Sequence, residues 1–472
     1  MTAISANDGA TAAGYGNEPG PGYAAGHAAA SASHGQGHGA YRGDLGAGQP
    51  REHAGEHPTG YPGAVPDTSA GGWTSGHPTL DPSSDENPLV KGLRNNGPSP
   101  DAVVIRRTLA EIEPVSHQAT SYFYALLFLH NPQLRDMFPA AMDAQRDRLF
   151  GALLLAAEHI DDTVTLTDYL CNLGRGHRKY GTQSEHYPLV GECLMSALER
   201  YAPRSWGPEA EAAWVRAYTA ISQIMIDAAA EDELHSPPWW YAEIVSHERR
   251  TSDVAVVTVR TDQPYPYRAG QYASVETPWW PRVWRYYSFA SSPRPDGLLS
   301  FHVKAVPAGW VSRSLVHRAR RGDVVKLGPP AGSMTVDHTS SRGLLCVGGS
   351  TGIAPIKALV EDVAQHGVRR EVEVFFGAQR DADLYDLDSF LELERRLPWL
   401  SVRPVVAQYA TRGFAGQLPD AVKEFGPWGN FDGYLSGPPQ MIRKSVDALV
   451  SAGMPADRIR HDFLGTLVTS GK

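Results

Sequence analysis

Residues 174–192 read GRGHRKYGTQSEHYPLVGE, a histidine and a tyrosine on each side of a glycine break. Leu166, Leu170 and Leu173 precede His177 at helical spacing, so the imidazole closes an apolar stripe that faces inward. Gly181 follows one turn later, where a left-handed residue would end the helix. Ser184 is then placed to cap a second helix with Pro188 in its first turn, and Tyr187, Leu194 and Leu198 fall on that helix's inner face. Tyr187 is therefore expected to point back toward His177. A histidine on an apolar face is more often a satisfied core residue than a ligand, so its neighbours must decide its role.

Those neighbours are helical throughout. SYFYALLFLH (121–130), AQRDRLFGALLLAAEHI (144–160), YPLVGECLMSALERY (187–201) and EAAWVRAYTAISQIMIDAAAEDE (211–233) all repeat apolar residues at three and four. Tyr124 sits on the first of these, which runs on to Phe138, and Gln145 shares a face with Leu149, Ala152 and Ala156 on the second. A buried phenol and a buried amide are costly unless something in the pocket bonds to them.

After SPPWW (236–240) the period changes to two in DVAVVTVR and LLSFHVKAV, the pattern of a β-rich domain. From Arg342 onward strand-like runs (GLLCVGG, EVEVFFGA, LSVRPVVA, FDGYLSG) alternate with helical ones, which predicts a parallel sheet wound with helices. The residues before Leu89 are mostly Gly, Ala, His, Ser and Pro and cannot bury enough apolar area to offset ordering entropy. They read as a disordered tail, and its scattered histidines (His27, His34, His38, His53, His57 and His77) are assigned no chemistry.

The chain has 472 residues, room for about three domains. Its net charge of −9, with Lys and Arg spread out, excludes a polyanion-binding surface as the leading expectation, so no nucleic-acid partner is expected. Cys171, Cys193 and Cys346 are too far apart for a zinc or iron–sulfur ligand set and leave an odd thiol, the usage of a reduced, intracellular protein. No apolar run approaches the ~18 residues of a membrane span, and MTAISANDGATAAG lacks the basic start and apolar core of a signal peptide. A cytoplasmic location is expected; the oligomeric state is open.

The stretches FYALLFLHNPQLRDMF, QRDRLFGAL and HRKYGTQSEHYPLVGECLM resemble, in order and spacing, the globin domain of the flavohemoglobins. The resemblance implies a globin fold carrying haem b. His177 would be the proximal iron ligand, Tyr124 the distal tyrosine, Gln145 the distal glutamine and Leu149 the leucine over the ligand. Phe138 would lie against the haem and Tyr187 beside the proximal histidine. Two positions depart from the family: its lysine before the proximal histidine is Gly176 here, and its proximal carboxylate is Ala229, with Asp227 and Glu231 nearby on other faces.

RYYSFASSP (285–293) places an arginine, two aromatics and a serine at a strand end, chemistry suited to a flavin and its diphosphate. RAGQYASVE precedes it, GWVSRSL opens a helix whose amides can hold phosphate, and CVGGSTGIAPIKALV is a strand, a glycine turn and a helix start. All four stand in the order of the ferredoxin–NADP reductase family, which this half of the chain resembles. The resemblance implies that Tyr272, Arg285, Tyr286, Tyr287 and Ser288 bind FAD. Gly349, Ser350, Thr351, Gly352, Ile353, Ala354 and Pro355 would receive NADH or NADPH, and YLSGPPQM would close over it, with Ser436 in place of the family's cysteine. Phe463, in IRHDFLG, is the candidate aromatic beside the flavin. Arg380 follows the second strand of this half, where a cation could pair with a 2′-phosphate.

The expected fold is therefore multidomain, with a tail over 1–98, an all-α globin over 99–236, an antiparallel β-barrel FAD domain over 237–338 and a doubly wound α/β NAD(P) domain over 339–472. Hydride transfer delivers two electrons and haem iron accepts one at a time, so a flavin between them is the expected adapter. The function expected is an NAD(P)H-dependent flavohemoprotein that uses O2 to convert nitric oxide to nitrate. The alternatives are an NAD(P)H-driven haem reductase or peroxidase with another acceptor, and a gas-binding redox sensor.

Overall fold

The computed structural model describes residues 98–366 and 370–462. The expected tail, up to residue 97, and Phe463 lie outside the described residues.

Among the described residues six α-helices come first: α1 (Pro100–Ile112), α2 (Ser116–His130), α3 (Asp143–Glu158), α4 (Thr163–His177), α5 (His186–Tyr201) and α6 (Pro208–Glu233). Ser99 caps α1 by accepting the Ala102 amide, and Asp162 caps α4 by accepting that of Thr165. Ile105, Leu109, Phe123, Leu127, Leu194, Leu198 and Trp214 form their common core. A Cβ on Gly174 would lie 2.3 Å from the Met225 carbonyl oxygen, so α4 and α6 touch backbone to backbone only because glycine stands there. The helix ends at His177, passes through a tight turn at Arg178–Tyr180 and stops at Gly181, whose φ of 79° is left-handed.

The cap expected at Ser184 is not the one formed. The next helix begins at His186 with Glu185 at the cap position and no side-chain cap bond. The His186 imidazole instead reaches back to accept the Gln183 amide at 3.0 Å, closing a turn that takes Ser184 out of the cap position.

The second region is a six-stranded antiparallel sheet of β1 (Trp240–Arg249), β2 (Val254–Thr261), β3 (Tyr272–Glu276), β4 (Trp284–Ser288), β5 (Leu298–Lys304) and β6 (Val324–Leu327), in the order β4-β3-β6-β1-β2-β5. A bridge between Phe289 and Phe301 joins its two outer strands and closes it into a barrel. Val257, Val259, Phe289, Phe301 and Leu327 fill the interior, with α7 (Trp310–His317) packed on it.

The third region is a parallel sheet in the order β10-β9-β8-β7-β11-β12, formed by β7 (Gly343–Gly349), β8 (Val372–Ala378), β9 (Leu400–Val406), β10 (Phe414–Ala415), β11 (Phe431–Ser436) and β12 (Ile459–His461). The helices α8 (Ile353–His366), α9 (Leu387–Arg396), α10 (Leu418–Glu424) and α11 (Pro439–Ser451) cover it on both faces, with one apolar cluster on each side. Every residue of β7 is buried, as both faces of a central parallel strand require. Strand order reverses at β7, so the crevice beyond its C-terminal end is where such sheets bind ligands. No helix among the described residues is long and apolar enough to cross a membrane.

Candidate functional site

His177 ends α4 with Nδ1 2.7 Å from the Leu173 carbonyl oxygen. A carbonyl can only accept, so Nδ1 carries the hydrogen and Nε2 presents its lone pair, the tautomer a metal ligand needs. Desolvation holds the imidazole below its ordinary pKa and keeps it neutral. The ring beside His177 is that of Tyr180, at 6.4 Å between centroids. Tyr187, in the first turn of α5, is half-buried, and its carbonyl accepts the Tyr218 hydroxyl at 2.7 Å, which ties that turn to α6.

Tyr124, on α2, is 5% exposed and aims its hydroxyl at the Gln145 carbonyl, at a long 3.5 Å. Burial pushes the phenol up to about 12, so it stays protonated and can donate. Its ring packs on Phe138 at 5.6 Å and Phe128 at 5.9 Å. Leu149, one turn beyond Gln145 on α3, borders an apolar cavity of about 20 Å³ with Phe123, Phe150 and Leu153. Most apolar side chains of α3 are only half-buried, the condition of a wall that faces a slot.

Neither acidic neighbour of Ala229 replaces a carboxylate behind His177. Asp227 is exposed and accepts the Gln223 amide at 2.7 Å, and Glu231, also exposed, lies 3.7 Å from Arg175. The acidic group that serves this corner is Asp232, which pairs with Arg178, a guanidinium only 8% exposed. Arg178 also donates to the Ser236 carbonyl at 2.8 Å, so the turn after His177 is clamped to the end of α6.

Two cations that nothing in the sequence singles out stand where the helical region meets the barrel. Lys179 places Nζ 3.3 Å from Ser274 Oγ on β3 and over the rings of Tyr180, Trp284 and Tyr286 at 5.4, 5.3 and 5.6 Å. Desolvation, reinforced by Arg148 and opposed by Glu276, lowers it to about 8. Arg148, on α3, acts electrostatically on Tyr124, Tyr180, Lys179 and Tyr286, and its Nε is buried with no hydrogen-bond partner among the described residues. Two poorly neutralised cations at the edge of an apolar slot, with a neutral imidazole in its wall, fit a flat apolar macrocycle that bears two carboxylates. Haem is such a group.

On the barrel, Arg285, Tyr286, Tyr287 and Ser288 lie consecutively on β4, all half-buried, and pair with β3 so that Tyr272 faces Ser288. The Tyr272 ring meets that of Tyr286 edge-on at 5.2 Å. Burial raises the hydroxyl pKa of Tyr272, Tyr286 and Tyr287, so all three are neutral donors. Asp462 arrives here from the last strand. Its Oδ1 accepts the Ser333 amide at 3.2 Å, and its Oδ2 is buried with no hydrogen-bond partner among the described residues. Desolvation raises its pKa. Gly332, at φ 103°, lets it in, since a Cβ there would lie 2.6 Å from Oδ2 and 2.9 Å from the Tyr272 ring. An aromatic edge with neutral hydroxyls and one unsatisfied carboxyl oxygen fits a flavin, which offers both donors and acceptors.

The turn after β7 is a tight one at Ser350–Gly352, with Ser350 at φ 54°, and it feeds α8, whose first residues Ile353, Ala354 and Pro355 are buried. Thr351 is half-buried beside them. A Cβ on Gly352 would lie 2.3 Å from the Ser436 carbonyl oxygen, and one on Gly349 2.8 Å from the Met441 methyl. The glycines therefore admit the 434–441 segment as well as leaving amides open to phosphate. Arg380 is already engaged, with Nε and Nη2 at 3.0 and 2.9 Å from the two carboxylate oxygens of Asp383.

Comparisons with known proteins agree with this layout. A globin family model matches residues 121–225, an oxidoreductase FAD-binding domain model residues 241–336 and an oxidoreductase NAD-binding domain model residues 346–447. The chain is similar to a flavohemoprotein of Chromobacterium violaceum, 27% identical over 395 residues that cover 77% of this chain and 97% of that protein. It is also similar to the xylene/toluene monooxygenase electron transfer component of Pseudomonas putida, 35% identical over 228 residues, which cover 47% of this chain and 64% of that protein, less than two thirds of its length. Among solved structures, the flavohemoglobin of Malassezia yamatoensis with bound FAD and heme shares the fold at a TM-score of 0.63 and 21% identity, over 78% of this chain and 99% of that one. The chain is thus a globin domain fused to an FAD-binding and an NAD-binding oxidoreductase domain, the flavohemoglobin architecture, with haem, FAD and a nicotinamide dinucleotide as its cofactors.

Proposed function

We propose that this NAD(P)H-dependent flavin and haem oxidoreductase is a nitric oxide dioxygenase acting in the cytoplasm. Two nitric oxide and two dioxygen molecules give two nitrate ions as one NADH or NADPH gives up two electrons. When bound, FAD divides the hydride's electron pair and haem supplies an iron that takes the electrons singly and carries the gas chemistry.

The chain's own residues do the rest. His177 would hold the iron, with the Leu173 carbonyl fixing the tautomer that leaves Nε2 free to donate. Tyr124, neutral and buried, would donate its hydroxyl hydrogen to the gas ligand, with Gln145 beside it, and Leu149 and Phe138 would keep water out. Tyr187 supports the proximal side from α5. Arg148 and Lys179 would neutralise the carboxylates of the macrocycle. Tyr272, Arg285, Tyr286, Tyr287 and Ser288 would orient the flavin, and the run Gly349 to Pro355 would receive the dinucleotide.

The observation that carries this reading is the Leu173 carbonyl behind His177. A carbonyl makes the imidazole a weaker donor than a carboxylate would, and a weaker donor favours holding dioxygen over splitting peroxide. The peroxidase alternative needs the stronger push. The test follows nitric oxide loss and nitrate formation under NADH and dioxygen, with peroxide turnover measured beside it. Nitrate should match the nitric oxide consumed, and His177→Ala should abolish both. Peroxide turnover faster than nitric oxide consumption would overturn the assignment.

A further inference from the structure

A second cluster of ligand-type side chains lies away from both redox sites, on the segment that leads from β6 into β7. His338 belongs to that connection, and Asp362 and His366 lie one turn apart on α8. Residues four apart on a helix stand one above the other, which is how helices present paired metal ligands. His338 Nε2 is 2.8 Å from Asp362 Oδ2, and His366 Nδ1 is 3.5 Å from Asp362 Oδ1. The ligand atoms of all three lie within 4.8 Å of one another, and the two imidazole rings stack at 3.7 Å between centroids.

The backbone around the third ligand is held in place independently. Arg370 donates to the carbonyls of Asp337, Ser340 and Arg342 at 3.0, 2.7 and 3.3 Å. Asp337 accepts the Thr339 amide and hydroxyl at 2.9 and 2.6 Å. His338 is therefore delivered to the helix by a clamped loop, and little ordering is left for a ligand to impose.

We propose that His338, Asp362 and His366 form a binding site for a divalent transition-metal ion, with zinc as the ion that fits best. Two neutral imidazoles and one carboxylate leave a single negative charge for a dication, and this N2O donor set with open positions is a common zinc arrangement. In a tetrahedral site with bonds of about 2.0–2.1 Å, ligand atoms stand roughly 3.4 Å apart, so the widest separation, at most 4.8 Å, must close by up to about 1.4 Å while the 2.8 Å His338–Asp362 pair opens slightly. Parallel stacked rings cannot both aim an in-plane lone pair at one ion. One ring has to turn, and His366, half-exposed and at the end of α8, is free to do so by giving up its 2.9 Å bond to the Asp362 carbonyl. Solvent reaches His338 and His366, so the ion exchanges and water completes its shell. Once bound, it ties the connection between barrel and parallel sheet to α8.

The test uses the full chain with its cofactors. Zinc is titrated in equilibrium dialysis and bound equivalents are read by elemental analysis, for the unchanged protein and for His338→Ala, His366→Ala and the double variant. The histidines of the tail are common to all four and cancel. One equivalent should be lost, or weakened at least about tenfold, in each variant. Hydrogen exchange of residues 333–342 should slow on adding zinc in the unchanged protein only. Retained FAD absorbance verifies folding. Equal zinc stoichiometry and affinity in the unchanged protein and the double variant would overturn the proposal.

Discussion

Replacing Lys179 by methionine tests the view that this side chain is a cation kept for the sake of bound carboxylates. Methionine keeps the length of the stem and its apolar packing on Tyr180, Trp284 and Tyr286 while removing the charge. The lysine's fall from 10.5 to about 8 is a differential of roughly 3 kcal/mol against the charged form. The side chain is half-buried, so solvent screening reduces this, and the ring contacts, worth about 0.5–1 kcal/mol each at accessible sites, offset part of the remainder. A net cost of about 1 kcal/mol remains. Stripped of haem and FAD, Lys179→Met should therefore be the more stable protein at pH 7, by about 1 kcal/mol in the helical region's unfolding transition. The sign with pH follows from a folded pKa below the unfolded one. The cost is present in full below pH 8, shrinks as pH rises, and is gone above about 10.5, so the variant's advantage should vanish by then. With cofactors restored the order reverses, and the variant should release haem faster. Urea unfolding of both stripped proteins at pH 7 and pH 10.5, followed by haem-loss kinetics, decides it. A variant less stable at pH 7, or an advantage independent of pH, would refute the reasoning.

Three more perturbations follow from the same geometry. Tyr124→Phe removes a hydrogen bond to a partly charged ligand, worth about 1.5–3 kcal/mol, so flash photolysis should show dioxygen leaving roughly ten to a hundred times faster. Unchanged release would assign that hydrogen bond to Gln145. Ala229→Glu places a carboxylate at a half-buried point of α6, where the acidic neighbours face outward, and should lower the haem potential and raise peroxide turnover. Spectroelectrochemical titration showing an unchanged or raised potential would mean that the new group does not reach His177. Gly352→Ala drives a Cβ to 2.3 Å from the Ser436 carbonyl oxygen, a clash of the new methyl with backbone that cannot swing away, and should cost about 1–3 kcal/mol and weaken NADH binding. Wild-type stability with full NADH affinity would show that the 434–441 segment moves aside without cost.

Local sequence rules carry His177 a long way. Helical spacing put the imidazole at the end of an inward stripe, and Gly181 stopped the chain one turn later, because periodicity and a positive φ are properties of the few residues that show them. The same holds for β4 with its Arg-Tyr-Tyr-Ser run and for the glycine turn after β7, each written in consecutive residues. Ser184 marks the limit of that logic. Ser184 with Pro188 behind it satisfied the rule for a cap, yet the His186 ring took the Gln183 amide and the helix starts later. The charge around the sites, by contrast, comes from residues that the folded chain brings together over long separations. Arg178 meets Asp232, Lys179 meets Ser274, Asp462 enters beside Tyr272, and His338 reaches Asp362, pairs separated by 54, 95, 190 and 24 positions. A charged side chain reads in sequence as solvated surface by default. Its burial, its partner and the shift in its pKa depend on chain crossings that no local pattern records.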